Sequence, residues 1–309
     1  MLSLANYDWV ERQKYLVEFC IEARCWDGVD HEAFVGWLNN FPDNEGEYYA
    51  LRLLHRFIYY SETDTIQLCR HGLFNLLLGQ EVLAEQKRSG FSKPQDELLQ
   101  QLDQGLRDSR IVPLLDQDKP FESGNLVTRW LVQRLSIPGG LIVNPVEMVE
   151  EIEGGCNRIV IVDDCVGSGD QIVNFWNEPI KGYPFSPNEL AQNRPQVKFD
   201  YLTLVAVRSG LQQASKETPG LRITACETLG DEHRVFGPNS QFFHSQDEQD
   251  NAEQYLQSLL PQRGIRIRGH DGLDYAIAFN HNIPDWTLPL FHKKRPNWRP
   301  LMLRKDSDD

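Results

Sequence analysis

The residues with the clearest chemical potential lie together near the middle of the 309-residue chain, in Arg158-Ile159-Val160-Ile161-Val162-Asp163-Asp164-Cys165-Val166-Gly167-Ser168-Gly169-Asp170-Gln171-Ile172. Adjacent carboxylates can hold sugar hydroxyls, or a hard cation such as Mg2+ that prefers oxygen donors. Gly167 and Gly169 permit positive φ and close backbone approach, and Ser168 adds a hydroxyl. A helix opening there would turn free amides and the positive end of its dipole toward an anion. Acids for hydroxyls followed by a cradle for phosphate suit a ribose 5-phosphate. A dinucleotide fingerprint does not fit, because two acids separate strand from glycines and Ile172 stands at the third glycine position. A Walker loop would need Gly-Lys-Ser/Thr, which is absent.

Such a site needs a strand and a helix to hold it. Ile159–Val162 reads as a strand buried on both faces, and open α/β sheets place ligands at the carboxyl ends of their strands. From Ile111 onward, β-branched runs alternate with helical windows, the pattern of a parallel sheet. Candidate strands are Ile111–Leu114, Leu141–Val143, Arg158–Val162, Tyr201–Val207, Leu221–Ala225 and Ala276–Phe279. Candidate helices are Leu126–Leu135, Val146–Ile152, Ser168–Trp176, Leu211–Lys216 and Glu248–Leu260. The first third has helix-spaced apolar residues at Tyr15–Phe19–Cys20–Ala23, Tyr48–Leu51–Leu54–Ile58 and Leu73–Leu76–Leu77, without β-branched runs. Glu85–Pro94 reads as a loop and Asp96–Leu106 as one more helix. The expected organisation is α+β: a helical N-terminal domain over 1–108, an α/β domain with a central parallel sheet over 109–305, and an acidic tail over 306–309.

Several residues outside the central motif are placed to support it. Ser123, Gly124 and Asn125 open a predicted helix after the irregular Asp116–Phe121 segment, with Lys119 nearby. Their amides would face an anion, although Ser123 also reads as an ordinary helix cap. Arg208 leaves the strand Tyr201–Val207 at its carboxyl end, where its planar fork of donors could neutralise pyrophosphate, or stand as a solvated loop arginine. His281 follows the last candidate strand and has the chemistry of an acid/base. Trp286 and Phe291 offer faces for a base, or dock the chain end onto a core.

Charge and cysteine usage narrow the surroundings. Thirty-one Lys and Arg against 45 Asp and Glu give −14, which disfavours non-specific binding to nucleic acid or an acidic membrane. Arg263–Lys305 departs from that average, with nine Lys and Arg against three Asp. That basic segment is the candidate surface for a nucleic acid or a partner protein. No basic leader with an apolar core begins the sequence, and no apolar run approaches the roughly 18 residues that span a bilayer. A cytoplasmic, membrane-free protein is expected. The six cysteines lack Cys-x-x-Cys pairs or zinc-like spacing, so they read as reduced thiols.

Ile159–Gln171 resembles the phosphoribosyl-diphosphate (PRPP) motif of type I phosphoribosyltransferases: four hydrophobics, two acids, two further residues and a small-residue loop. The resemblance implies that Asp163 and Asp164 hold the ribose hydroxyls. It further implies that Gly167, Ser168, Gly169, Asp170 and Gln171 wrap the 5-phosphate, and that Mg2+ accompanies PRPP as co-substrate. Gln171 stands where that family usually has Thr, Gly167 where Ser, Thr or Ala is usual, and Cys165 is atypical. Gly-Ser-Gly-Asp-Gln, together with Asn280–Phe291 and Asn297–Leu301, is similar to a divergent bacterial branch found in conflict and anti-phage defence operons. That similarity implies a phosphoribosyltransferase-like domain, transfer of a phosphoribosyl group with pyrophosphate release, and an operon-encoded partner. The alternative is a catalytically silent module that senses a nucleotide and signals to a partner protein or nucleic acid.

Overall fold

The computed structural model describes residues 4–115 and 123–304. In chain order these form helices α1 (Leu4–Glu22), α2 (His31–Leu38) and α3 (Asn44–His55), strand β1 (Ile58–Tyr60), and helix α4 (Glu62–Arg70). A π-helical stretch, His71–Leu78, leads into α5 (Gly79–Arg88) and α6 (Gln95–Arg107). Then come β2 (Ser109–Pro113), α7 (Ser123–Leu135), α8 (Glu147–Glu153), β3 (Arg158–Val166), α9 (Asp170–Asn177) and α10 (Pro187–Asn193). The series closes with β4 (Lys198–Val207), α11 (Arg208–Glu217), β5 (Leu221–Leu229), α12 (Gln246–Leu259) and β6 (Ile277–Phe279).

These elements group into two compact units: residues 1–65 with 230–309, and residues 66–229. The helical stretch 1–108 is therefore shared between the units, and the boundary falls inside α4. Likewise 109–305 contributes its first part to one unit and its last part to the other.

In the first unit, α1–α3 pack with the last quarter of the chain. Asp30 and Asp43 cap α2 and α3 by accepting from Ala33 N at 2.7 Å and Gly46 N at 2.8 Å. Each cap satisfies a backbone donor that the helix start leaves unpaired. The indoles of Trp37 and Trp298 both donate to the Leu290 carbonyl at 2.9 Å, and Trp37 stacks on Phe291 with centroids 5.4 Å apart. β1 and β6 form a parallel pair, with Ile58 opposite Ile277 and Tyr60 opposite Phe279.

The second unit is built on a four-stranded, all-parallel sheet in the order β2-β3-β4-β5. β3 and β4 are its central strands and their β-branched residues are almost wholly buried. Trp176 of α9 meets Phe199 of β4 edge-on at 5.4 Å. At the amino ends of the strands, buried Asp200 accepts from Arg158 Nε at 2.8 Å and pairs with Arg222, while Glu81 of α5 reaches Lys198 at 3.1 Å and Arg158 at 3.3 Å. The π-helical register sets Phe74 beneath residue 79. A Cβ there would stand 2.4 Å from the Phe74 carbonyl oxygen, which is why Gly79 occupies it.

The mixed fold with a central parallel sheet is as the sequence pattern predicts. Five local expectations are corrected. Glu85–Arg88, read as the start of a loop, are the last turn of α5. Leu141–Val143 forms no strand: Gly139–Leu141 is a 3-10 turn and only a bridge from Ile142 to Ile111 touches the sheet. β3 runs on past the acids to Val166, because Cys165 and Val166 continue the ladder opposite Val205 and Ala206. The strand at 277–279 leaves the main sheet and pairs with β1, a strand in the stretch read as wholly helical. The helix after Gly169 begins at Asp170 rather than Ser168.

Candidate functional site

Asp163 and Asp164 lie on central strand β3, three and two residues before its carboxyl end, and are only 1% and 4% exposed. Strand alternation turns their side chains to opposite faces. Asp163 Oδ1 accepts from the Asp164 amide at 2.9 Å, and the Tyr201 hydroxyl of β4 stands 3.5 Å from its Oδ2. Burial, then the charge of Asp163, holds the Tyr201 phenol well above its ordinary pKa, so it stays a neutral donor. On the other side Asp164 adds to the negative field at Cys69. That thiol is pushed up to about 12, first by burial and then by Cys226 and Asp164.

Past Val166 the chain makes the small-residue loop and enters α9. Gly169 sits in the left-handed region at φ 93° and serves as the N-cap, a conformation costly to any residue with a Cβ. The loop rests directly on the first turn of α11. A Cβ on Gly169 would stand 2.6 Å from the Gly210 carbonyl oxygen, and one on Gly210 would stand 2.0 Å from that of Gly167. Glycine at both positions therefore joins two backbones with nothing between them. Asp170, the first residue of α9, accepts from Ser168 Oγ at 2.8 Å and from Gln213 Nε2 at 3.2 Å. Its carboxylate thus lies at a helix start whose amides also favour a ligand anion. Gln171 and Arg208 are exposed at the first turns of α9 and α11.

A second small-residue contact supports the neighbouring strand. Gly124 is buried in the first turn of α7, where a Cβ would stand 2.5 Å from the Leu114 carbonyl oxygen just beyond β2. It is there for close helix–strand packing. Ser123 begins α7; its side chain, Asp116–Phe121 with Lys119, and the acidic tail fall outside the described residues.

The second unit thus brings together Asp163, Asp164, Gly167–Gln171 and Arg208, with Gly124 at the edge of the same sheet. His281 and Trp286 belong to the first unit. His281 is 8% exposed with its ring 5.2 Å from Phe279, and Trp286, 3% exposed, packs edge-on against Tyr275 at 5.3 Å.

The family model of PRTase-CE matches residues 34–304, most of the chain. The chain belongs to the PRTase-CE family. This is a phosphoribosyltransferase-like family, and its span takes in the whole four-stranded sheet and every residue named in this subsection. A search of curated proteins finds no match. Among the described PRTase-CE residues no helix is long and apolar enough to cross a membrane.

Sequence reasoning placed Gly210 with Arg208 and Ser209 after the strand Tyr201–Val207 but gave it no role, and it missed Gln213. Gln213 carries no signal, because only the packing of α11 against α9 brings it to Asp170.

Proposed function

We propose that this chain binds a ribose 5-phosphate ligand, PRPP or a nucleotide, with Mg2+, and transfers the phosphoribosyl group to an acceptor with release of pyrophosphate. The observation that carries this reading is the buried Asp163–Asp164 pair on a central strand, running straight into a glycine-locked loop at a helix start.

In the reaction the bond between C1 of the ribose and the pyrophosphate oxygen breaks and a bond from C1 to the acceptor forms. The developing positive charge at C1 and the negative charge on the leaving group must both be stabilised, and neither needs a protein nucleophile. Because Asp163 and Asp164 leave β3 on opposite faces, one carboxylate orients the ribose hydroxyls while the other supplies negative potential to the sugar. Asp163 is held in place by the Asp164 amide and Tyr201. The amides of Gly167–Gln171 cradle the 5-phosphate, and Arg208, at the start of α11 beside the loop, faces the diphosphate.

Mg2+ would rest chiefly on the diphosphate and water, with one hard carboxylate of Asp163 or Asp164 beside it, since the two side chains leave β3 on opposite faces. When bound, the ion would neutralise charge on the leaving diphosphate. Calorimetry with PRPP and Mg2+, followed by pyrophosphate release with candidate acceptors, tests the reading. Binding and release in the wild type, both lost in Asp163→Asn/Asp164→Asn, are expected; unchanged binding in that double variant refutes it.

A nucleotide-sensing module without turnover is the second reading, and Gln171 is the observation that favours it. It stands, exposed in the first turn of α9, where the resemblance leads one to expect the Thr hydroxyl that contacts the phosphate. Tight binding without pyrophosphate release selects this reading. On the sequence resemblance we extend both readings to a role in bacterial anti-phage defence. Loss of protection in phage plating on Asp164→Ala is the corresponding test.

A further inference from the structure

Residues 295–299 form a tight turn in the first unit. Arg295 and Trp298 exchange backbone hydrogen bonds of 3.2 and 3.0 Å across Pro296 and Asn297. Asn40, two residues beyond α2, staples this turn in place. Its Nδ2 donates to the Trp37 carbonyl at 2.8 Å and the Arg299 carbonyl at 2.7 Å, and its Oδ1 accepts from the Arg299 amide at 2.9 Å. Between the turn and the last turn of α2 lies a cleft of about 370 Å3, with Gly36, Asn39 and Asn40 on one wall and Asn297 and Arg299 on the other.

The arginine is positioned rather than loose. A Cβ on Gly36 would stand 3.0 Å from Arg299 Cδ and 3.5 Å from Nη1, so the Arg299 stem crosses α2 where the side chain is missing. A glycine inside a helix costs about 0.5–1 kcal/mol relative to alanine, and here it makes the room that the arginine occupies. The guanidinium lies by the C-terminal turn of α2, where the helix dipole favours a cation. Among the described residues it has no carboxylate partner, and the side-chain amides of Asn39 and Asn297 make no hydrogen bond. A guanidinium fork flanked by amide donors matches a carboxylate.

The surroundings point the same way. Lys293 and Lys294 precede the turn, Arg295 opens it, and no acid falls between Lys293 and Arg299. Arg268, elsewhere in the basic segment, pairs with Glu253 at 2.6 Å and reaches Asp274. Trp298, beneath the cleft, is 1% exposed and offers no face for a base, which disfavours single-stranded nucleic acid. We propose that this cleft docks a carboxylate side chain of an acidic segment on a partner protein, with Arg299 as its anchor.

The test uses the full chain and a fluorescent peptide carrying six consecutive glutamates, followed by anisotropy at low and moderate salt. Saturable binding that weakens with salt and falls at least tenfold in Arg299→Gln is expected, with a smaller loss in Asn297→Ala. Thermal melts matching wild type establish that these exposed substitutions leave the fold intact. Asp163→Asn, in the other unit, should bind the peptide as wild type does, which separates this proposal from the ribose-phosphate reading. No saturable binding, or undiminished binding by Arg299→Gln, overturns it. Tighter binding of an oligothymidylate of equal charge would assign the cleft to nucleic acid instead.

Discussion

At the scale of single residues, the loop depends on atoms that are missing. Gly210 allows the Gly167 carbonyl to lie on α11, and both sides of that contact are backbone, so neither can rotate away from a methyl group. Gly210→Ala should destabilise the protein by about 1–3 kcal/mol, the usual range for overpacking, and abolish ribose-phosphate binding. Chemical denaturation and calorimetry on the same variant measure both effects. The thiols make a separate prediction. Burial first, with the charge of Glu227 added, pushes Cys226 up to about 12, and Cys69 is raised as far. Only thiolates alkylate quickly, so exposed Cys25 should react with iodoacetamide at pH 8 well before either. Mass spectrometry of the labelled peptides checks the order. Asp163 and Asp164 were legible in the sequence because an acid pair after an apolar run is a local pattern. Gly210 was legible in position but not in role, and Gln213 in neither, since their contacts exist only where two helices meet.

At the scale of elements, the strands are pinned at their amino ends by charge. Asp200 is 1% exposed and serves both Arg158, itself buried, and Arg222. Removing it leaves the buried Arg158 guanidinium with only the more exposed Glu81, 3.3 Å away, as counter-ion. Asp200→Asn should therefore cost about 3 kcal/mol in a denaturation experiment, the low end for breaking a buried pair. Glu81 ties α5 to the same place. Burial alone would raise its carboxyl, but the Lys198 hydrogen bond and the charges of Arg158, Lys198 and Arg222 outweigh that and hold it below its ordinary 4.5. A folded-state value below the unfolded one gives stability that is present above about pH 4.5 and lost as the pH falls through the depressed value. Glu81→Gln should melt a few degrees below wild type at pH 7, with the gap closing as the pH falls below 4.5. The pair is over a third exposed and solvent-screened, so the effect is modest. Periodicity located most helices and strands to within a few residues. It erred at Leu141–Val143, where the apolar run is a sheet-edge turn, and at the end of β3, where only the partner strand decides how far pairing runs.

For the whole molecule, the decisive fact is that residues 230–309 complete the core begun by residues 1–65. Trp298 is the clearest instance: 1% exposed, it shares the Leu290 carbonyl with Trp37 from the far end of the chain. Trp298→Ala should cost about 3–5 kcal/mol and lower the melting temperature of the first unit while leaving the sheet of residues 66–229 intact. Hydrogen exchange resolved by residue distinguishes the two outcomes. The sequence by itself determined the mixed class, the parallel sheet and the acid-and-glycine motif, because strand period, β-branched runs and loop chemistry are properties of short segments. Tertiary structure alone decided which segments share a unit, that the strand at 277–279 pairs with one at 58–60, and that Gly36 and Arg299 meet across a cleft. Those outcomes follow from apolar surfaces hundreds of residues apart finding each other, and no local pattern of residues encodes such a distance.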